Sequence, residues 1–166
     1  MPPLRGEIGN GMIFISYRIS DEDKAMVLQD YLKSNFDIDS FVSPYYPKVH
    51  SSTEIASHIV DKIKQCTHVI ALFTENTMGL MWIPFEMGAA YQANKGIATY
   101  LWDKVDVPDY LKEFPVMRDE DALEEYAKLY LIDQKLSLAR RNDELQHGSA
   151  MGAAVFVKEL KSQLGQ

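Results

Sequence analysis

Cysteine is almost missing from this sequence. Cys66 is the one thiol in 166 residues, so no internal disulfide can form, which agrees with a reducing compartment, and a cytoplasmic location is expected. Positive charge is thin as well. Lys and Arg number 17 against 24 Asp and Glu, giving a formal net charge of −7 and a pI near 5.0. That balance argues against a nucleic-acid partner, because affinity for a phosphate backbone rests on clustered cations. The one dense basic spot, Arg140-Arg141, reads as a solvated helix face. No apolar run approaches a membrane span, and the opening MPPLRGEIGNG has no apolar core of the kind a signal peptide needs, so no membrane partner is expected. His50, His58 and His147 lack metal-ligand spacing to Cys or acidic partners, and Cys66 and His68 lack a third member, so no metal is expected. Buried Cys is usually structural. Phosphate-binding signatures are missing too. Gly6, Gly9 and Gly11 precede the first apolar run, whereas a dinucleotide-binding glycine loop follows one, and no P-loop is present.

What remains is a chain long enough for one domain with a real core, 46% hydrophobic, too short for two of ordinary size. Residues 1–11 read as a loose arm, residues 12–166 as a single domain, and 119–166 as its helical C-terminal part. A buried strand is expected over 12–17. Ser20, with Asp23 three residues later, reads as the N-cap of a helix over 21–33. A short strand over 38–42 leads into a loop over 43–50 with two prolines and two tyrosines, and Ser51 with Glu54 has capping-box spacing for a helix over 52–65. THVIALFT, residues 67–74, is the apolar run of a central strand covered on both faces. A helix over 83–94, with Gly96 as its left-handed terminus, a strand over 97–102, a short strand over 114–117 and a helix over 119–131 follow. Ala153, Phe156, Val157, Leu160 and Leu164 fall at helical spacing on a closing helix. Alternating strands and helices imply an α/β fold: a parallel sheet of four to five strands with helices on both faces.

The densest chemistry lies in TENTMGLMWIPFEMGAA, residues 74–90. Trp82 and Glu86 stand four residues apart at a helix start after an apolar strand, so they share a helix face where open α/β sheets bind ligands. Taken alone the spacing is common, and a packed Trp beside a solvated Glu is the reading it favours. Pro84 fits a first helical turn and not an interior, which puts Glu86 in or just after that turn, where the macrodipole favours an ionised carboxylate. Gly88, Ala89 and Ala90 keep the helix slim. A fixed carboxylate suits cleavage of an N-glycosidic bond that breaks through an oxocarbenium-like transition state.

Together with FISYRISD at residues 14–21, this pattern resembles the Toll/interleukin-1 receptor (TIR) domain family over residues 12–102, and within it the stand-alone bacterial TIR proteins of antiphage defence of the Thoeris type. The resemblance implies a flavodoxin-like sheet and an enzyme that consumes NAD as substrate, with no other cofactor. It would cleave the nicotinamide–ribose bond and send a nucleotide product to a separate effector. On the same basis Glu86 is catalytic, and Tyr17, Arg18, Trp82, Tyr45 and Tyr46 contribute to substrate binding, Arg18 near the diphosphate. The loop over 43–51 matches a segment through which such domains self-associate, although it carries Tyr45, Tyr46 and Lys48 and lacks the acidic residue often found there.

Plainer readings stand beside these. Tyr17 can be a packed ring, Arg18 can pair with Asp21 or Glu22, Tyr45 and Tyr46 can anchor the loop, and Lys48 can be solvated. A phosphoryl-accepting receiver domain is excluded, because Ser16-Tyr17-Arg18 and Phe73-Thr74 stand where it needs acids. Two alternatives remain open: a nucleoside deoxyribosyltransferase, which also attacks an N-glycosidic bond with a helix-borne glutamate, and a non-enzymatic TIR assembly module.

Overall fold

The computed structural model describes residues 12–42, 52–77, 82–139 and 151–166; within these, the side chains at 52, 53, 82 and 137–139 lie outside the description. The expected arm over 1–11, the loop with Tyr45 and Tyr46, and Ser51 of the capping box fall outside the described residues. The elements run β1 (Ile13–Ser16), α1 (Glu22–Phe36), β2 (Ser40–Phe41), α2 (Ser52–Gln65), β3 (His68–Phe73), α3 (Trp82–Gln92), β4 (Gly96–Leu101), β5 (Val116–Met117), α4 (Glu120–Ala139) and α5 (Ala153–Gln163). All five strands are parallel, in the order β2-β1-β3-β4-β5. This is the flavodoxin-like order, and its switch point lies between β1 and β3.

Strand residues alternate between two cores. Ile13, Ile15, Ile70 and Leu72 pack on Leu28 and Leu32 of α1, Tyr126 of α4, and Phe156 and Leu160 of α5. Phe14, Val69, Ala71 and Phe73 pack on Ile59 and Ile63 of α2 and on Ile83, Met87 and Ala90 of α3. Every residue of β3 is buried, as its unbroken apolar run requires for a strand covered on both sides.

Several ends differ from expectation for physical reasons. Ser20 does not cap α1. A 3₁₀ turn over Ile19–Asp21 comes first, and Asp21 precedes the helix without a side-chain cap because its buried carboxylate is engaged elsewhere. Helix α1 continues to Phe36 and ends on Asp37 in the left-handed region at φ 53°, whose N–H reaches the Leu32 and Lys33 carbonyls. Helix α3 likewise ends on a left-handed Asn94 at φ 56°, with the Lys95 N–H on the Ala90 carbonyl at 3.0 Å. Gly96 is therefore not the terminator; it opens β4. A Cβ there would stand 2.8 Å from His68 Cδ2 and 3.0 Å from Phe156 Cδ1, so glycine is required by close packing. Helix α4 runs past the expected end at 131 because Asp133 is buried against a partner on the sheet.

Candidate active site

Strand β1 ends on Ser16, buried at the C-terminal edge of the sheet beside the switch point. Its hydroxyl donates to Oε2 of Glu86, joining β1 to the first half of α3 across 70 residues of sequence. Trp82 is the first residue of α3 and Pro84 sits in its first turn, so Glu86 follows one turn from the start. Glu86 is only 5% exposed, whereas its neighbour Phe85 is 40% exposed, the reverse of what hydrophobicity alone directs. Among the described residues, Ser16 is the hydrogen-bond partner of the Glu86 carboxyl.

Burial pushes the Glu86 pKa from 4.5 up to about 7, against the opposing pull of the Ser16 hydrogen bond. At about 1.4 kcal/mol per unit, this amounts to roughly 3 kcal/mol against the charged form. A helix N-terminus returns about 2 kcal/mol at most in partly buried geometries. Desolvation therefore outweighs the macrodipole, and the free carboxyl titrates near neutrality instead of being held fully ionised.

The loops flanking this pair are fastened to each other. The Arg18 guanidinium donates to the Asn76 carbonyl, tying the segment after β1 to the segment after β3. Asp21, fully buried, accepts from Thr74 Oγ1 at 2.7 Å, Asn76 Nδ2 at 3.2 Å and Lys24 Nζ at 3.3 Å. Thr77 adds a side-chain acceptor for the Thr74 N–H at 2.9 Å. Two loops at the mouth of the sheet thus form one braced rim. Tyr17 is buried among the core side chains of the α1 face. The structure brings Glu86 together with Ser16 and places Arg18 on the adjoining rim; the Trp82 ring, Tyr45 and Tyr46 belong to the parts outside the description.

The local sequence marks Asp21 only as a helix opener and gives Ser16 no role. Asp133 was missed altogether as the partner of His68. His68 Nε2 meets Asp133 Oδ2 at 2.9 Å, and its Nδ1 meets Thr67 Oγ1 at 2.6 Å. A carboxylate can only accept, so the proton lies on Nε2 and Nδ1 accepts from the threonine. Asp133 Oδ1 also accepts from the Met151 N–H at 2.8 Å, and the imidazole packs edge-on to Tyr130 and Phe156. Cys66 is buried nearby in sequence with its thiol pushed up to about 12 by burial, an inert packing residue. Among the described residues, no group of three or more His, Cys, Asp or Glu is placed to hold a metal, and no helix is long and apolar enough to cross a membrane.

No family profile matches the chain, and no curated protein matches its sequence. Solved structures do. The TIR domain of the Toll-related receptor TRR-2 from Hydra magnipapillata superposes with a TM-score of 0.54 at 14% identity, covering 74% of this chain and 97% of that one. The fold is TIR-like. A 2-desoxiribosyltransferase from Leishmania mexicana also matches, with a TM-score of 0.45 at 18% identity over 56% of this chain. The present chain spans 65% of that enzyme's length. Identities this low speak to architecture alone, so the chemistry of the TIR-like sheet has to be argued from its own residues.

Proposed function

We propose that this protein cleaves the bond between nicotinamide and ribose in NAD, with Glu86 as the catalytic residue. The observation that carries the proposal is a carboxyl buried at the C-terminal edge of a parallel sheet, beside the switch point, held by one hydroxyl and titrating near neutrality. Such perturbed groups cluster at functional sites, and this edge is where open α/β sheets take their ligands.

In this reading ionised Glu86 faces the ribose carbon. Nicotinamide leaves with the bonding electron pair and becomes neutral, so it needs no general acid, and the positive charge that develops on the sugar is met by the carboxylate. Ser16 holds Oε2 and keeps the carboxylate aimed. The cationic substrate itself favours the charged form, lowering the Glu86 pKa once it binds. Arg18, on the braced rim, is available to the diphosphate, and Tyr17, Trp82, Tyr45 and Tyr46 complete the proposed binding surface. Water or a hydroxyl then captures the ADP-ribosyl cation and gives up its proton to the Glu86 carboxylate. The wider proposal is a cytoplasmic enzyme that self-associates through residues 43–51 and whose nucleotide product reaches a separate effector in antiphage defence.

A carboxyl in this setting also suits covalent attack on a deoxynucleoside, the second substrate class to test. Mass spectrometry of products from NAD, and separately from deoxyinosine with free adenine, distinguishes the two. Nicotinamide release that disappears in Glu86→Gln supports the proposal. Deoxyadenosine formation replaces it with base exchange, and no product from either substrate at assembly-promoting concentration leaves the chain as an interaction module.

A further inference from the structure

A cavity of about 860 Å³ lies well away from Glu86, between the C-terminal end of α3 and one face of α5. Glu86 lies in the first half of α3, whereas Tyr91, Gln92, Asn94 and Lys95 of the lining lie at and beyond its C-terminal end. The cavity opens beside the start of β4, at the opposite end of the sheet from the candidate active site.

The lining has two unusual features. First, in a chain with 24 acidic and 17 basic residues, Lys95, Lys158 and Lys161 all line it, and among the described residues no Asp or Glu does. Lys158 and Lys161 are three apart on α5 and so share a helix face, where an anion between them relieves their mutual repulsion; the Lys161 ammonium also donates to the Glu113 carbonyl at 3.3 Å. Lys95 is buried, with its ammonium donating to the Lys64 carbonyl at 3.2 Å, and burial pushes its pKa down. An anion nearby would offset that cost. Second, Tyr91 is 69% exposed, yet its ring is fixed edge-on to Phe114 with centroids 6.2 Å apart. Both rings line the cavity, and the small Ala153 and Ala154 opposite leave room between them and α5. Ligand sites commonly occupy roughly 300–1,000 Å³ and combine aromatic walls with a few placed polar groups.

We infer that this cavity binds a small nucleotide-like anion, its planar ring against Tyr91 and Phe114 and its phosphates against Lys158, Lys161 and Lys95. Two anchors of different kind make the site selective for a molecule that carries both. The side also stands apart from the proposed NAD site, so an occupant here could be present while that site turns over.

Calorimetric titration of the full chain with ADP, adenosine and pyrophosphate tests it. ADP is expected to bind at least tenfold more tightly than either fragment. Lys158→Glu, an exposed substitution, should weaken ADP at least tenfold, the milder Lys158→Gln/Lys161→Gln pair should do so without reversing charge, and Tyr91→Ala should weaken it severalfold. Arg18→Gln, at the residue proposed for the NAD diphosphate, should leave ADP affinity unchanged, which separates this site from the proposed NAD site. The inference is overturned if none of the probes binds at millimolar concentration, if the lysine variants bind ADP as the unaltered chain does, or if Arg18→Gln is the variant that loses it. Pyrophosphate or adenosine binding as tightly as ADP overturns it as well, since one anchor would then suffice. Unchanged thermal melting of each variant confirms that folding is not what was lost.

Discussion

Among the described residues three carboxyl groups are buried, Asp21 and Glu86 where the strands finish and Asp133 where they begin, and of these Asp133 and Glu86 are treated in opposite ways. Where the strands begin, Asp133 accepts from the His68 ring and the Met151 N–H, and His68 is itself completed by Thr67 and enclosed by aromatic rings. Where the strands finish, Glu86 has the Ser16 hydroxyl, and burial holds its pKa at about 7. This fold can supply a buried acid with several partners, and at Asp133 and Asp21 it does. The sparser provision at Glu86 is therefore a cost carried at one place, the place where ligands enter such sheets. Strain of this kind is kept when a site needs it and is lost when only stability is selected.

The largest effect expected from breaking this contrast is on turnover. Glu86→Gln keeps the shape and the Ser16 contact but removes the charge, so nicotinamide release from NAD should fall by roughly two to three orders of magnitude, the scale of one well-placed electrostatic group. Product assay of the folded variant checks it, and an unchanged rate removes Glu86 from the chemistry. Asp133→Ala is the counterpart. It leaves the His68 ring and the Met151 N–H without their buried acceptor and should cost about 3 kcal/mol of stability in urea unfolding, while turnover per folded molecule stays within a factor of a few. Equal losses of activity from both variants would show that the two ends are not functionally distinct.

A smaller effect separates the ends by pH. Glu86 holds its proton more tightly folded than unfolded, so between about pH 4.5 and 7 the native state binds more protons, and this contribution to stability falls as pH rises through the folded pKa. His68 behaves oppositely. Burial lowers its pKa despite the Asp133 bond, so the unfolded state takes up the proton first and stability falls as pH drops below about 6.5, the usual value. Glu86→Gln should thus gain up to about 3 kcal/mol relative to the unaltered chain at pH 8 and much less at pH 5. Urea melts at the two pH values test this, and a pH-independent difference would mean that Glu86 is not the titrating group.

The sheet was legible because its strands are apolar runs bounded by polar residues, and 67–74 reads that way on sight. The position of Glu86 was legible too, from Pro84 in a first turn after such a strand. Its environment was not. In IPFEMGAA the rule that apolar residues go inside would bury Phe85 and expose Glu86, and the fold does the reverse because Ser16, 70 residues earlier, is waiting at the end of β1. Asp133 was hidden differently: on a helix that also carries Glu120, Asp121, Glu124 and Glu125 it looks like one more solvated acid. Only packing, which brings α4 over the start of β3, selects it for His68 across 65 residues. Side-chain pairs of this separation leave no local periodicity to read.

The finest test concerns Ser16. Its hydrogen bond pulls the Glu86 pKa back toward the ordinary carboxylate range, against the larger effect of burial. Ser16→Ala removes that influence with little change of volume on a buried strand. A hydrogen bond to a charged group contributes roughly 1.5 kcal/mol or more, so the shift should be on the order of one pH unit upward. The pH profile of kcat/KM for NAD reports the ionisation of the free enzyme. It should rise through about 7 in the unaltered chain, where Glu86 titrates, and through a distinctly higher value in Ser16→Ala, while the alkaline plateau drops only modestly because the carboxylate is still present. A displaced midpoint with a preserved plateau identifies Ser16 as the residue that positions and tunes Glu86. An unmoved midpoint assigns the profile to some other group, and the pairing at the end of β1 would then be structural, like the one around Asp133.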